Sequence, residues 1–206
     1  VLTLCEAVSQ LIKAKILVVC FGDKPQNTEK YDFEVLYTNL KSSNIANCNT
    51  NEISIALYQV IEEFNPDIVH LNHYLGEFKT NRPTVLTSHG DDLNRIKWIN
   101  ICDKRYFTQN NIEKYRILVE KSLNNASIII TSSRFLAEEL IKTYSFKNKI
   151  KVIYNGISYN PSSNIPEEPS IITTGNFKNK SSNIDLLVKL STKIPGNIKL
   201  LLAGEK

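Results

Sequence analysis

The chain alternates short apolar runs rich in β-branched residues with longer segments whose apolar residues recur every three to four positions. KILVVCF (residues 15–21) is a continuous apolar run of the kind found in parallel strands buried on both faces. DFEVLYT (32–38), DIVHLN (67–72), PTVLTSH (83–89), ASIIIT (126–131), KVIY (151–154), IITT (171–174) and KLLLA (199–203) continue the series. Between them, helices are expected over 2–13 (Leu4, Ala7, Val8, Leu11 and Ile12 on one stripe), 110–123 (Tyr115 and Val119), 134–144 and 183–194. Another is expected after Thr50 or Asn51 as cap, where Ile53, Ala56, Leu57, Val60, Ile61 and Phe64 form an unbroken stripe. It ends at Asn65-Pro66, because the residue before proline avoids helical angles. Strands alternating with helices imply an α/β fold with a mostly parallel sheet.

Residues 158–169 interrupt this rhythm with a polar run of Pro, Ser, Asn and Glu, which reads as a linker. One domain is expected over 1–157 and the beginning of a second over 170–206. A length of 206 residues suits one domain and part of another. The chain opens at Val1, has no methionine and stops just after an apolar run, so it is expected to be part of a longer protein.

Composition excludes some classes. With 42% hydrophobic and 22% charged residues, the content is that of a soluble globular protein, and no apolar run approaches the roughly 18 residues of a bilayer span. No secretory leader pattern is visible at the N-terminus. A formal charge of +4 with a pI near 8.8 permits attraction to phosphorylated substrates or anionic lipid, but nucleic acid is not expected as a partner. Cys5, Cys20, Cys48 and Cys102 lie far apart without a CxxC pair. They read as reduced thiols of a cytoplasmic protein, neither a metal site nor a disulfide framework.

Ligands of open α/β sheets bind beyond the carboxyl ends of the strands. Polar clusters fall at such ends: His70, Asn72 and His73 after IVHLN; His89, Gly90, Asp91 and Asp92 after TVLTS; Ser132 and Ser133 after SIIIT; Gly175, Asn176, Lys178 and Lys180 after SIITT. His70, inside a strand, reads as a hydrogen-bonded core residue in preference to a catalyst. His70 and His73 fall on opposite faces of a strand, which argues against a shared metal. His89 could donate or accept a hydrogen bond with a sugar hydroxyl, and Gly90 would let a ligand approach the main chain. Asp91-Asp92 reads as a helix cap. Ser132 and Ser133 are either a cap or an anion site, and Lys178 and Lys180 either a solvated loop or a phosphate-neutralising pair. No GxSxG, HExxH or Walker loop is present.

Together the segments PDIVH (66–70), VLTSH (85–89), ASIIITSS (126–133) with Glu138-Glu139 in the following helix, KVIYNGI (151–157), TGNFKNKSSNIDLL (174–187) and LLLAGEK (200–206) resemble the retaining glycosyltransferases of the GT-B fold. The similarity is closest to family 4, which includes glycogen synthases and lipid-linked sugar transferases. The resemblance implies a Rossmann-like acceptor-side domain followed by the start of a second, donor-binding one. It further implies a hexosyltransferase that moves sugar from a UDP- or GDP-linked donor to a saccharide or lipid-linked acceptor, with neither cofactor nor metal. His89 matches the family histidine that contacts the donor sugar and is the catalytic candidate. Gly175, Asn176, Lys178, Lys180 and the Asn155-Gly156 turn would serve the donor. His70, His73, Gly90, Asp91, Ser132 and Ser133 would lie on the acceptor side. Positive charge after the strand-end glycine would stabilise the departing diphosphate.

Departures from the family pattern qualify that expectation. Asn176 stands where the family usually has arginine. The first strand with its glycine-rich loop, and the later glutamate motif of the donor domain, are not in this sequence, so the chain by itself is expected not to turn over. Two alternatives share the architecture: a sugar-nucleotide epimerase, and a non-catalytic subunit of a transferase complex. Lys142, Lys147, Lys149 and Lys151 would be the basis of peripheral contact with the inner face of the membrane, against the simpler reading of a solvated basic surface.

Overall fold

The computed structural model describes residues 2–22, 31–38, 40, 50–90, 109–144, 149–156, 169–174, 184–196 and 198–203. In chain order the elements are α1 (Leu2–Leu11), β1 (Leu17–Phe21), β2 (Glu34–Thr38), α2 (Thr50–Phe64), β3 (Val69–Leu71), β4 (Thr84–Ser88), α3 (Gln109–Asn125), β5 (Ile128–Thr131), α4 (Arg134–Tyr144), β6 (Ile150–Val152), β7 (Ser170–Thr174), α5 (Ile184–Ser191) and β8 (Lys199–Ala203). The chain divides into two compact units, Val1–Gly156 and Ile157–Lys206. All strand pairs are parallel, giving a Rossmann-like α/β architecture.

In the first unit β1 pairs with β2, and β3, β4, β5 and β6 form a four-stranded sheet in that order. Side chains of a strand alternate between faces, and the register tells which ones share a face. Leu71 stands opposite Leu86, Leu86 opposite Ile129, and Ile129 opposite Ile150. This face meets Tyr115, Val119 and Leu123 of α3 and Leu136 and Leu140 of α4, forming the main core. A second cluster joins Ile53, Leu57 and Ile61 of α2 to Leu75 and Phe78, with Val19, Phe21, Val69 and Leu71 packed against it. Leu71 touches both clusters, so α2, α3 and α4 cover one continuous face. Fully burying a side chain of this size contributes about 1.5–3 kcal/mol.

The opposite face carries His70, Val85, Thr87, Ile128 and Ile130. On β1 that side carries Val18, which is buried, and Cys20. Cys5 of α1 lies near enough to Cys20 for the two thiols to influence each other, and partial burial raises both above the ordinary thiol range.

Local chemistry explains the helix ends. Asn65 takes a left-handed backbone, φ 50°, and its N–H donates to the Ile61 carbonyl at 2.9 Å. Asparagine adopts that conformation at low cost, and Arg82 donates to its side-chain oxygen. Lys15 sits 5.0 Å over the Phe64 ring, placing a cation at the carboxyl end of α2, where the helix dipole favours it. Lys149 donates to the carbonyls of Asn124 (3.1 Å) and Ala126 (3.2 Å) at the end of α3.

Some expectations are corrected. Thr50 and Asn51 are already helical, so neither is the residue outside α2 that caps it. Of KILVVCF, only Val18 is buried, because β1 has a strand neighbour on one side alone among the described residues. The α1 stripe is largely uncovered, with Leu4, Leu11 and Ile12 exposed. The last helix ends at Ser191, short of Ile194. Asn155-Gly156 forms no hydrogen-bonded turn, and Gly156 takes no left-handed φ. Residues 158–168 of the expected linker lie outside the described residues.

In the second unit β7 and β8 pair in register, Ser170 with Lys199 through Thr174 with Ala203. Most leucines and isoleucines of both strands are exposed, namely Ile171, Ile172, Leu201 and Leu202, as are Leu186, Val188 and Leu190 of α5.

Candidate functional site

Because β3, β4, β5 and β6 are parallel neighbours, their carboxyl ends share one edge of the sheet, the edge where α/β sheets bind ligands. Asn72 and His73 follow β3, His89 and Gly90 follow β4, Ser132 and Ser133 follow β5, and Asn155 and Gly156 follow β6 a few residues on.

His70 pairs in register with Val85, which places its side chain on the face away from the helices, alongside Thr87. Its Nε2 lies 2.8 Å from the Thr87 hydroxyl. The expected hydrogen bond is therefore present, but the expected burial is not: the residue is exposed, on the face away from α2, α3 and α4. Desolvation on the ring's packed side, and secondly the neighbouring His89, hold the imidazole below its ordinary pKa, so the neutral form is favoured. Thr87 was not legible as a partner. Its two-residue offset from Val85 was in the sequence, but the register that brings Val85 beside His70 was not.

His89 is exposed, and its Nε2 lies 3.4 Å from Asn72 Oδ1. The segment that carries Asn72 is anchored throughout. Tyr74 donates to Ser88 in a buried hydroxyl pair at 2.8 Å. The Gly76 N–H donates to Ser122 Oγ at 2.6 Å, and Asn125 Nδ2 donates to the Gly76 and Phe78 carbonyls at 3.2 and 3.1 Å. Lys121 pairs with Glu77. Phe78 stacks on Tyr58, ring centroids 5.3 Å apart, and the Tyr58 hydroxyl donates to the Lys79 carbonyl at 3.1 Å. This connection is thus bound to both α2 and α3, which makes it a fixed wall at the sheet edge. The aromatic and apolar residues in HYLGEF were its sequence signal.

Gly90 has φ 86°, and a Cβ there would stand 3.1 Å from Leu136 Cδ2. The left-handed φ favours glycine, and the close approach of Leu136, which a Cβ would push back by a few tenths of an ångström, ties the end of β4 to α4. Ser133 Oγ accepts the Leu136 N–H at 3.2 Å, so Ser133 caps α4. Thr131 Oγ1 also donates to the Ser133 carbonyl at 3.2 Å. Ser132 beside it is half-buried, while His73, Asn155 and Gly156 are exposed. The structure brings His70, Thr87, Asn72 and His89 together. It does not place His73 in that contact set.

Asp91, Gly175, Asn176, Lys178 and Lys180 lie outside the described residues, as does Lys147. Among the described residues, no group of three or more His, Cys, Asp or Glu could hold a metal ion. Nor is any described helix long and apolar enough to cross a membrane. Of the basic residues near α4, Lys149 is committed to the end of α3, which removes one cation from the patch considered for anionic lipid.

In comparisons with known proteins, no curated protein matches the chain. The model of the family described as Glycosyltransferase Family 4 matches residues 1–160. That match spans both core clusters and the sheet edge that holds His70, Asn72, Thr87 and His89, and the chain belongs to this glycosyltransferase family.

Proposed function

We propose that the protein transfers a hexosyl group from a nucleotide-sugar donor to a saccharide or lipid-linked acceptor, with retention and without a metal ion, in the GT-B manner. The observation that carries this reading is the meeting of two imidazoles, a carboxamide and a hydroxyl (His70, His89, Asn72 and Thr87) at the carboxyl edge of a parallel sheet, within the residues matched by the family. Hydrogen-bond donors and acceptors of this kind suit a hydroxyl-rich ligand, and a fold alone would not carry the inference. In this reading His89 contacts the donor sugar as its glycosidic bond breaks. His70, His73, Gly90, Asp91, Ser132 and Ser133 border the acceptor side. Asn155 and Gly156 adjoin the donor, while Gly175, Asn176, Lys178 and Lys180 hold its diphosphate, the lysine charges assisting departure of the leaving group.

The test is nucleoside diphosphate release by the full-length protein from a panel of UDP- and GDP-linked sugars, with and without a chelator. Release from at least one donor that survives chelation supports the reading. Failure to bind or hydrolyse any donor sinks it, and product formed without an acceptor would point to epimerisation.

A further inference from the structure

We propose that Asn72 is a positioning residue for His89, holding its ring from the neighbouring strand in the tautomer protonated at Nε2. The inference rests on the reading that His89 meets substrate, and deepens it. With the Asn72 amide turned so that Oδ1 faces the ring, a carbonyl-type oxygen with no proton to donate, the nitrogen 3.4 Å from it is the donor. Nδ1 is then the ring's acceptor, suited to receive a hydrogen bond from a substrate hydroxyl. The opposite tautomer would put two acceptors face to face.

The placement of Asn72 makes the restraint effective. It is half-buried and stands two residues before Tyr74, which is buried and bonded to Ser88, the residue just before His89. Both ends of the Asn72–His89 contact are therefore fixed by one buried hydroxyl pair, and the following residues are fastened to α3 through Ser122 and Asn125. At 3.4 Å the hydrogen bond is weak, but those around catalytic groups commonly tighten only when substrate binds. A second-residue orienter of imidazole is a general device, because the bond at one ring nitrogen decides the role of the other.

The chain has three histidines, so nitrogen-15 spectra of the full chain resolve the ring tautomers, His89 being assigned by its loss in His89→Gln. Measured where the rings are neutral, His89 is expected as the Nε2–H form. Asn72→Ala is expected to shift the tautomer ratio toward Nδ1–H by about threefold to tenfold, the worth of one modest hydrogen bond. Asn72→Asp, which keeps the acceptor oxygen, should hold the original form. An Nδ1–H ring in the unsubstituted chain, or an unchanged ratio in Asn72→Ala with folding intact, would overturn the assignment.

This readout needs no substrate, so it stands or falls apart from transferase activity. If no nucleotide sugar is turned over, the glycosyl-transfer reading fails while the tautomer still decides the role of Asn72. With turnover, Asn72→Ala should lower kcat by about threefold to tenfold at little change in donor KM, with Asn72→Asp restoring it. A moved tautomer with unaltered kcat would refute the substrate half of the proposal.

Discussion

Two strands of this molecule are almost the same sequence in different company. SIIIT, ending in Thr131, and SIITT, ending in Thr174, both form parallel strands. Ile129 in the first is 0% exposed, whereas Ile172 in the second is 64% exposed. Local sequence chose the conformation in both cases, since β-branched residues fit a pleated backbone. It did not choose burial. β5 has a strand on each side and the faces of α3 and α4 against it, while β7 pairs only with β8 among the described residues. Parallel sheets normally need cover on both faces, so the stability of each strand depends on its neighbours.

The largest effect should separate the two isoleucines themselves. Ile129→Ala removes branched bulk from a site with no exposure and is expected to cost about 2–5 kcal/mol. Ile172→Ala should stay within about 0.5 kcal/mol, as for surface substitutions. Denaturant titration of both variants checks this, with amide exchange on β5 and β7 to assign each transition to its strand. Equal losses would break the comparison.

Next in size are changes that loosen α4 from β5 and so make β5 resemble β7. Gly90→Ala forces a Cβ into a left-handed backbone and to 3.1 Å from Leu136, at an expected cost of about 1–3 kcal/mol. Gly156→Ala, with no atom within 4 Å and no left-handed φ, is expected to be neutral or to stabilise by up to about 1 kcal/mol. A difference in melting midpoint between these glycine variants is the measurement, and matching midpoints would mean that α4 does not rely on Gly90. Ser133→Ala removes the cap on the Leu136 N–H and should cost about 1 kcal/mol, with Ser133→Asp recovering most of it. Retained stability in Ser133→Ala would show that α4 is held by Leu136 and Leu140 alone.

These contrasts also mark what was legible beforehand. The bounds of α4 follow from a capping serine and the apolar positions Leu136, Ala137 and Leu140. The strands follow from β-branched runs, and α2 from its stripe. What could not be read is pairing. The Tyr74–Ser88 contact spans 14 residues, and the His70–Thr87 and Asn72–His89 contacts span 17. Polar side chains carry no periodicity that reports such partners. His70 illustrates the consequence: its place in a strand suggested the core, yet one residue of alternation turns it to the face away from α2, α3 and α4. Nor could the sequence show that Asn155-Gly156 would stay without a turn, because that dipeptide permits one without requiring it.

That open face sets up the smallest expected effect. His70 shares it with Thr87 and Ile128, so its ring is only partly desolvated, and its pKa lies below the ordinary 6.5. The unfolded chain then takes up the His70 proton at higher pH than the folded one. Stability from this group is full above about pH 6.5 and falls as the pH drops through that value toward the folded pKa. Since His89 is the second cause of the shift, His89→Gln should move the His70 titration upward, toward 6.5, without abolishing the depression that desolvation produces. Proton NMR of the His70 ring as a function of pH reads this directly. An unmoved titration would separate the two imidazoles. A His70 titration at or above 6.5 in the unsubstituted protein would mean that the open face is solvated as fully as the strands of the second unit.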